Sequence, residues 1–114
     1  MATQLDSTLA ALADPTRRQV VDRLRLHPRR AGELAAEFRM SAPAMSRHLR
    51  VLRETGLVED ERADAGDARL RVYRLRRKPF AELRDWLADV ESFWGEQLDA
   101  FKAHAEGGRK RKPQ

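Results

Sequence analysis

Ser41, Ser46, Arg47 and Arg50 fall within one ten-residue stretch, SAPAMSRHLR (41–50). Hydroxyl and guanidinium groups packed this closely suit recognition. An Arg fork can take guanine O6 and N7 in two parallel hydrogen bonds, and a Ser can donate to a base edge or a phosphate oxygen. The sequence offers no nucleophile–base pair, Gly-rich phosphate loop or metal-binding cluster, so an enzyme is not expected and neither is a cofactor. The chain has no Cys, which excludes disulfides, thiolate metal sites and thiol-based redox sensing.

These residues need an element to present them, and the flanking sequence supplies one. Ser41 is a suitable N-cap, Pro43 is tolerated in a first helical turn, and Gly56 after Thr55 is a C-terminal stop. On a helical wheel of about 100° per residue, Met45, Leu49 and Leu52 gather on one side. Pro43, Ser46, Arg47, Arg50 and Glu54 fall on the other, with Ala42 and Arg53 toward the flank and His48 at the edge. The outward face is small and polar at its start and cationic beyond. The major groove of B-DNA admits such a helix.

Charge along the 114 residues agrees with that placement. The whole chain carries +5 with a pI near 10.4. Residues 17–53 hold ten Arg against Asp22, Glu33 and Glu37, a net +7, whereas residues 79–106 carry a net −5. A polyanion would bind the middle of the chain, and the acidic segment serves another purpose.

The remaining elements read from caps and periodicity. Leu5, Leu9 and Leu12 suggest a short first helix. Asp14 as N-cap and Pro15 at the first helical position open a second, with Val20, Val21 and Leu24 on its apolar face and Pro28 as its stop. RAGELAAEF (30–38) gives a third, and a short break at RMS leads to the helix above, the spacing of a helix-turn-helix. Residues 57–62 and 69–75 read as two strands around the turn-rich ADAGDA. Pro79 opens a long helix to about His104. Residues 1–106 are read as one domain and 107–114, which hold no apolar residue, as a disordered basic tail.

The segments LADPTRRQVVDRL, AGELAAEFRMSAPAMSRHLRVLRETGLVE and RVYRL together resemble winged-helix repressors of the ArsR/SmtB family over about residues 5–100. The implied fold is mainly α (α+β), a winged helix-turn-helix with four short helices, a two-stranded wing and a long C-terminal dimerisation helix. The implied function is a homodimeric repressor on a near-palindromic operator in double-stranded DNA. In that family the second helix of the motif enters the major groove, which points here to Ser41, Ala42, Pro43, Ser46, Arg47, His48 and Arg50. Relatives often carry Gln where this chain has Ala42. Their wing tips are often basic, but Asp64 and Asp67 would repel phosphate here, so Arg62, Arg69 and Arg71 are assigned the wing contacts. A non-specific or architectural DNA-binding protein is the alternative.

Many relatives sense metals. A common site uses paired Cys in the helix before the recognition helix, and the matching GELAAEF has none, so no metal site is expected. In the last helix Leu83, Leu87, Val90, Trp94, Leu98 and Phe101 recur every three or four residues. A helix of that length spans about 39 Å, more than so small a core covers. The excess predicts burial against a second copy, together with Leu5, Leu9 and Leu12 of the first helix. The N-terminus has neither a basic start nor a long apolar run, and no stretch approaches a membrane span, so a cytoplasmic protein without membrane contact is expected. Any small-molecule inducer is unknown from the sequence.

Overall fold

The structure, a computed structural model, describes residues 3–62 and 71–108, with Arg62 as backbone only. Two compact units divide the chain, Met1–Glu82 and Leu83–Gln114. The first contains α1 (Gln4–Leu12), α2 (Pro15–Leu24), β1 (Arg29–Arg30), α3 (Ala31–Glu37), α4 (Ala42–Glu54), β2 (Val58–Arg62), β3 (Arg71–Leu75) and the opening of α5 (Arg77–Gly108). The fold is mainly α with one small antiparallel sheet. The pair α3–α4 is the helix-turn-helix and β2–β3 the wing; the ADAGDA connection and the basic end lie outside the described residues.

Helix starts follow their caps. Thr3 and Asp6 form a reciprocal capping box at α1. The Asp14 carboxylate accepts from the Arg17 N–H at 2.9 Å, with Pro15 at the first position of α2. Ser41 Oγ accepts from the Ala44 N–H at 3.2 Å and opens α4. Both ends of the helix-turn-helix close in the same way. After α3, Met40 N–H reaches the Ala35 carbonyl and Arg39 N–H the Ala36 carbonyl, with Arg39 at φ 55°. After α4, Leu57 N–H reaches Leu52 and Gly56 N–H reaches Arg53, with Gly56 at φ 84°. Each is a Schellman closure around one left-handed residue. Gly meets that requirement without strain; Arg39 meets it at a cost of about 1 kcal/mol.

Gly56 is further confined because a Cβ there would stand 3.2 Å from Arg76 Nη1 and 3.3 Å from Gln4 Oε1. Gly56→Ala is therefore expected to destabilise the protein by about 1 kcal/mol or more, read as a lower midpoint in urea unfolding. An unchanged midpoint would show that the turn after α4 relaxes freely.

The core of this unit is Val20, Leu24, Leu34, Met45, Leu49, Leu52, Leu57 and Val58, with Ala11 and Ala35 filling gaps. Met45, Leu49 and Leu52 are the stripe expected of α4, each at 1 % exposure or less. Burying such a side chain stabilises by about 1.5–3 kcal/mol, so this stripe fixes which face of α4 turns outward. In α1 the buried positions are Thr8 and Ala11, while Leu9 stays exposed. The Thr8 hydroxyl is satisfied by the Gln4 carbonyl at 2.9 Å.

The sheet has the order β1–β3–β2. Arg29 pairs with Tyr73 and Arg30 with Val72, while β2 pairs with β3 from Val58↔Leu75 to Arg62↔Arg71. The strand β1 was not expected. It forms because β3 offers a free edge and the chain entering α3 passes alongside it. Helix α2 ends at Leu24 rather than at Pro28: Arg25 and Leu26 already turn back with N–H bonds to Val21 and Arg23. The early stop leaves room for the chain to straighten into β1. The long helix opens at Arg77 and holds Pro79 in its first turn, where a missing N–H is harmless. It continues through Gly108, past the end expected at about His104.

In the second unit α5 runs on as a helix with apolar side chains open to solvent. Trp86, Leu87, Val90, Phe93, Trp94, Leu98 and Phe101 are all exposed, Trp94 at 66 % and Phe101 at 71 %. No helix among the described residues is long and apolar enough to cross a membrane.

Candidate nucleic-acid interface

The outward face of α4 is built from its ends. Its N-terminus is set by the Ser41 cap and by the Schellman closure at Arg39. Its C-terminus is held by neighbours far away in sequence. Gln4 Nε2 donates to the Thr55 carbonyl at 2.9 Å, and Arg76 Nη1 donates to the Gly56 carbonyl at 3.0 Å. These carbonyls carry the negative end of the helix, and the Arg76 charge lies against them. Arg76 N–H also bonds the Leu57 carbonyl at 2.9 Å. Helix α4 is thus clamped by α1 on one side and by the residue after β3 on the other.

On this clamped helix, Ser41, Ala42, Pro43, Ser46, Arg47 and Arg50 are all exposed. Arg47 and Arg50 make no ion pair or hydrogen bond with any described residue. That separates them from other arginines of the first unit. Arg23 and Arg29 both bind Glu37, Arg29 at 2.7 Å, and Arg23 also lies 5.7 Å from the Phe38 ring centre. Arg17 and Arg18 donate to the Ala11 and Leu12 carbonyls at the end of α1. Arg74 binds Glu61 across the wing.

Two residues expected to contact DNA also have partners within the protein. His48 is half-buried, and its Nδ1 lies 3.8 Å from the Asp14 carboxylate at the start of α2. It fastens α4 to α2 at the flank of the outward face. Arg71 does not stand free on the wing: its Nη1 lies 2.9 Å from Asp60. Arg69 and the Arg62 side chain lie outside the described residues.

Three residues were missed from sequence. Arg39 is exposed, its side chain without a partner among the described residues, and adjacent to the start of α4. Its signal was a non-Gly residue at a helix stop. Asp60 and Gln4 act through partners so distant in sequence that no local pattern marks them.

Two carboxylates tie these elements together electrostatically. The Arg17 N–H bonded to Asp14 holds its carboxyl below the ordinary value, helped by the Arg17 and His48 charges. Hydrogen bonds from Arg29 and then Arg23 do the same for Glu37. A carboxyl lowered in the folded state gives stability that is complete above the unfolded value and lost as pH falls through the folded one. The midpoint of urea unfolding should therefore drop on acidification below about pH 4, and Glu37→Gln should flatten that drop. A variant with the wild-type pH profile would remove Glu37 from the account.

Among known proteins, the sequence signature described as "bacterial regulatory protein, arsR family" matches residues 14–60, from the cap of α2 into β2. The HTH-type transcriptional regulator Rv2034 of Mycobacterium tuberculosis is 41 % identical over 96 residues, covering 84 % of this chain and 83 % of the relative. The transcriptional repressor SdpR of Bacillus subtilis is 34 % identical over 58 residues, 51 % of this chain and 64 % of its own. An ArsR-like transcriptional regulator from Rhodococcus sp. RHA1 superposes with a TM-score of 0.71 at 29 % identity, over 90 % of this chain and 92 % of that one. The winged helix-turn-helix domain of Mb0332 from Mycobacterium bovis, a homodimer in solution, gives 0.61 at 27 % identity over 78 % and 79 %. With its helix pair, wing and long last helix, the chain belongs to the ArsR family of transcriptional regulators and carries that family's winged helix-turn-helix DNA-binding domain.

Proposed function

We propose that this regulator is a dimeric, sequence-specific repressor that places α4 in the major groove of an inverted-repeat operator. The observation that carries the reading is a contrast among arginines: Arg47 and Arg50 stand exposed, without a partner among the described residues, on a helix capped at its start and clamped at its end, while Arg23, Arg29, Arg71 and Arg74 are engaged within the protein. A rigid helix is the right carrier for base contacts, because a loose one would lose binding energy to ordering. Ala42, Pro43 and Ser46 keep the first turns small enough for close approach to base edges. Ser41 has its oxygen on the helix cap but keeps its O–H to donate to phosphate.

The dimer would be built on α5, with Leu83, Leu87, Val90, Trp94, Leu98 and Phe101 joined by Leu5, Leu9 and Leu12. Support comes from the exposed aromatic and aliphatic run of α5, from the open apolar hollow of about 360 Å³ bordered by Phe93, Trp94, Gln97 and Leu98, and from the homodimeric relative. A two-fold dimer presents its two recognition helices about 34 Å apart, one turn of DNA. The relative described as a repressor supports repression, and occupancy of an operator is enough to block a promoter. The protein would act in the cytoplasm, where bacterial DNA lies.

The deciding experiment is selection of bound sequences from a random duplex pool at physiological salt. The expected result is an enriched inverted repeat with half-sites about 10 base pairs apart. Binding without enrichment would replace this reading with a non-specific or architectural DNA-binding protein.

A further inference from the structure

The least expected charge arrangement in the first unit lies where α4 meets the wing. Asp60 sits in the middle of β2, on the same face as the buried Val58 and opposite Tyr73 in the register. Its side chain is only 14 % exposed, yet two guanidinium groups converge on it: Arg71 Nη1 at 2.9 Å and Arg53 Nη1 at 3.7 Å. Both arginines keep partial access to solvent, at 31 % and 41 %. One comes from the last turn of α4 and the other from the first residue of β3, so they flank the groove-facing helix and the wing. With Asp60 absent, each would lose the carboxylate that holds it.

We infer that Asp60 is a specificity-determining residue: it withholds Arg53 and Arg71 from phosphate, so that affinity rests more on the α4 contacts and less on sequence-independent charge. The inference rests on the DNA-binding reading above. A phosphate contact adds affinity equally on every sequence and releases counterions, whereas a base contact adds affinity on one sequence only. A carboxylate that already engages two arginines and cancels one of their two charges lowers the first kind of energy and leaves the second. The position suits this role. Asp60 is anchored in a strand pairing and shielded from water, so its hold on Arg71 is not weakened by full solvation as an exposed pair's would be. A regulator facing a genome of competing random sites gains from weak random binding more than from tight binding everywhere.

The test uses the full chain with Asp60→Asn, which keeps the shape and removes the charge, on the selected operator and on random duplex across a salt series. The variant should bind random duplex several-fold more tightly at low salt. The slope of log affinity against log salt should steepen by about two to four for the dimer, as for one or two added phosphate contacts per protomer. The ratio of operator to random affinity should fall. Asp60→Glu should restore the wild-type slope. In the wild-type background Arg53→Gln should leave the slope unchanged, because Arg53 is held by Asp60; in the Asp60→Asn background it should remove part of the increment. Equal weakening on both duplexes with an unaltered slope would overturn the inference and make Asp60 only a fastener of the wing. If Asp60→Asn does not fold, a shallower slope in the single variant Arg53→Gln overturns it and an unchanged slope supports it. Wild-type protein that binds no duplex at all would overturn the DNA-binding reading and this one together; wild-type binding with an unchanged Asp60→Asn slope would overturn this one alone.

Discussion

Replacing Arg47 or Arg50 by Ala should weaken operator binding by about 1–3 kcal/mol per half-site. A homodimer carries the change twice, so the loss on a full operator is about 2–6 kcal/mol, or from about thirtyfold to about twenty-thousandfold. The fold should not notice. Both side chains are exposed, neither bonds another described residue, and the stripe that anchors α4 is on the opposite face. Titration of labelled operator and of random duplex separates the two kinds of contact. A base-reading Arg loses affinity on the operator alone and relaxes selectivity at one position. A phosphate-binding Arg loses it on both duplexes and flattens the salt slope by about one per protomer, about two for the dimer. Wild-type affinity in both variants, with unfolding unchanged, would remove α4 as the reading helix.

The second large effect is expected at Trp94. Aromatic side chains near the centre of an interface commonly carry about 2 kcal/mol or more, and a two-fold interface holds each of them twice. Trp94→Ala should therefore raise the dimer dissociation constant by about a thousandfold, measured by sedimentation equilibrium. The secondary structure should persist, since Trp94 is among the most exposed large apolar residues of α5. Operator binding should fall with it, because monomers engage half-sites independently and lose the advantage of linkage. A wild-type protein that is monomeric at micromolar concentration would end the dimer account; a Trp94→Ala variant that dimerises as tightly as wild type would move its centre elsewhere on α5.

What could be read from sequence was local. Asp14, Ser41 and Gly56 mark helix ends through bonds to residues three positions away, Pro15 through the N–H it lacks, and each stands where its chemistry placed it. The buried stripe of α4 was legible for the same reason, since helical spacing alone sorts Met45, Leu49 and Leu52 from Arg47 and Arg50. What stayed hidden depends on distant partners. A two-residue strand such as Arg29–Arg30 has no periodicity to detect and exists only because β3 lies beside it. Pro28 looked like the stop of α2, but the chain turns earlier to feed that strand. Arg71 read as a wing contact because sequence shows its charge and not the carboxylate across the sheet. His48 is half-hidden for a similar reason, since its neighbour Asp14 belongs to another helix. The left-handed Arg39 runs against local preference and could only be seen in the folded chain.

The sheet order has a consequence for how the protein is made. Its central strand, β3, is the last to leave the ribosome, and both β1 and β2 pair with it and not with each other. The Gly56 and Leu57 carbonyls just past α4 likewise wait for Arg76. Helices α3 and α4 can form early from their own short-range bonds, but the edges that hold them in register close only after translation has passed β3. Such non-local pairing is the slow part of folding a small domain. The surface that would meet DNA is therefore completed late, and a nascent chain stalled within the wing holds a recognition helix without its fastenings.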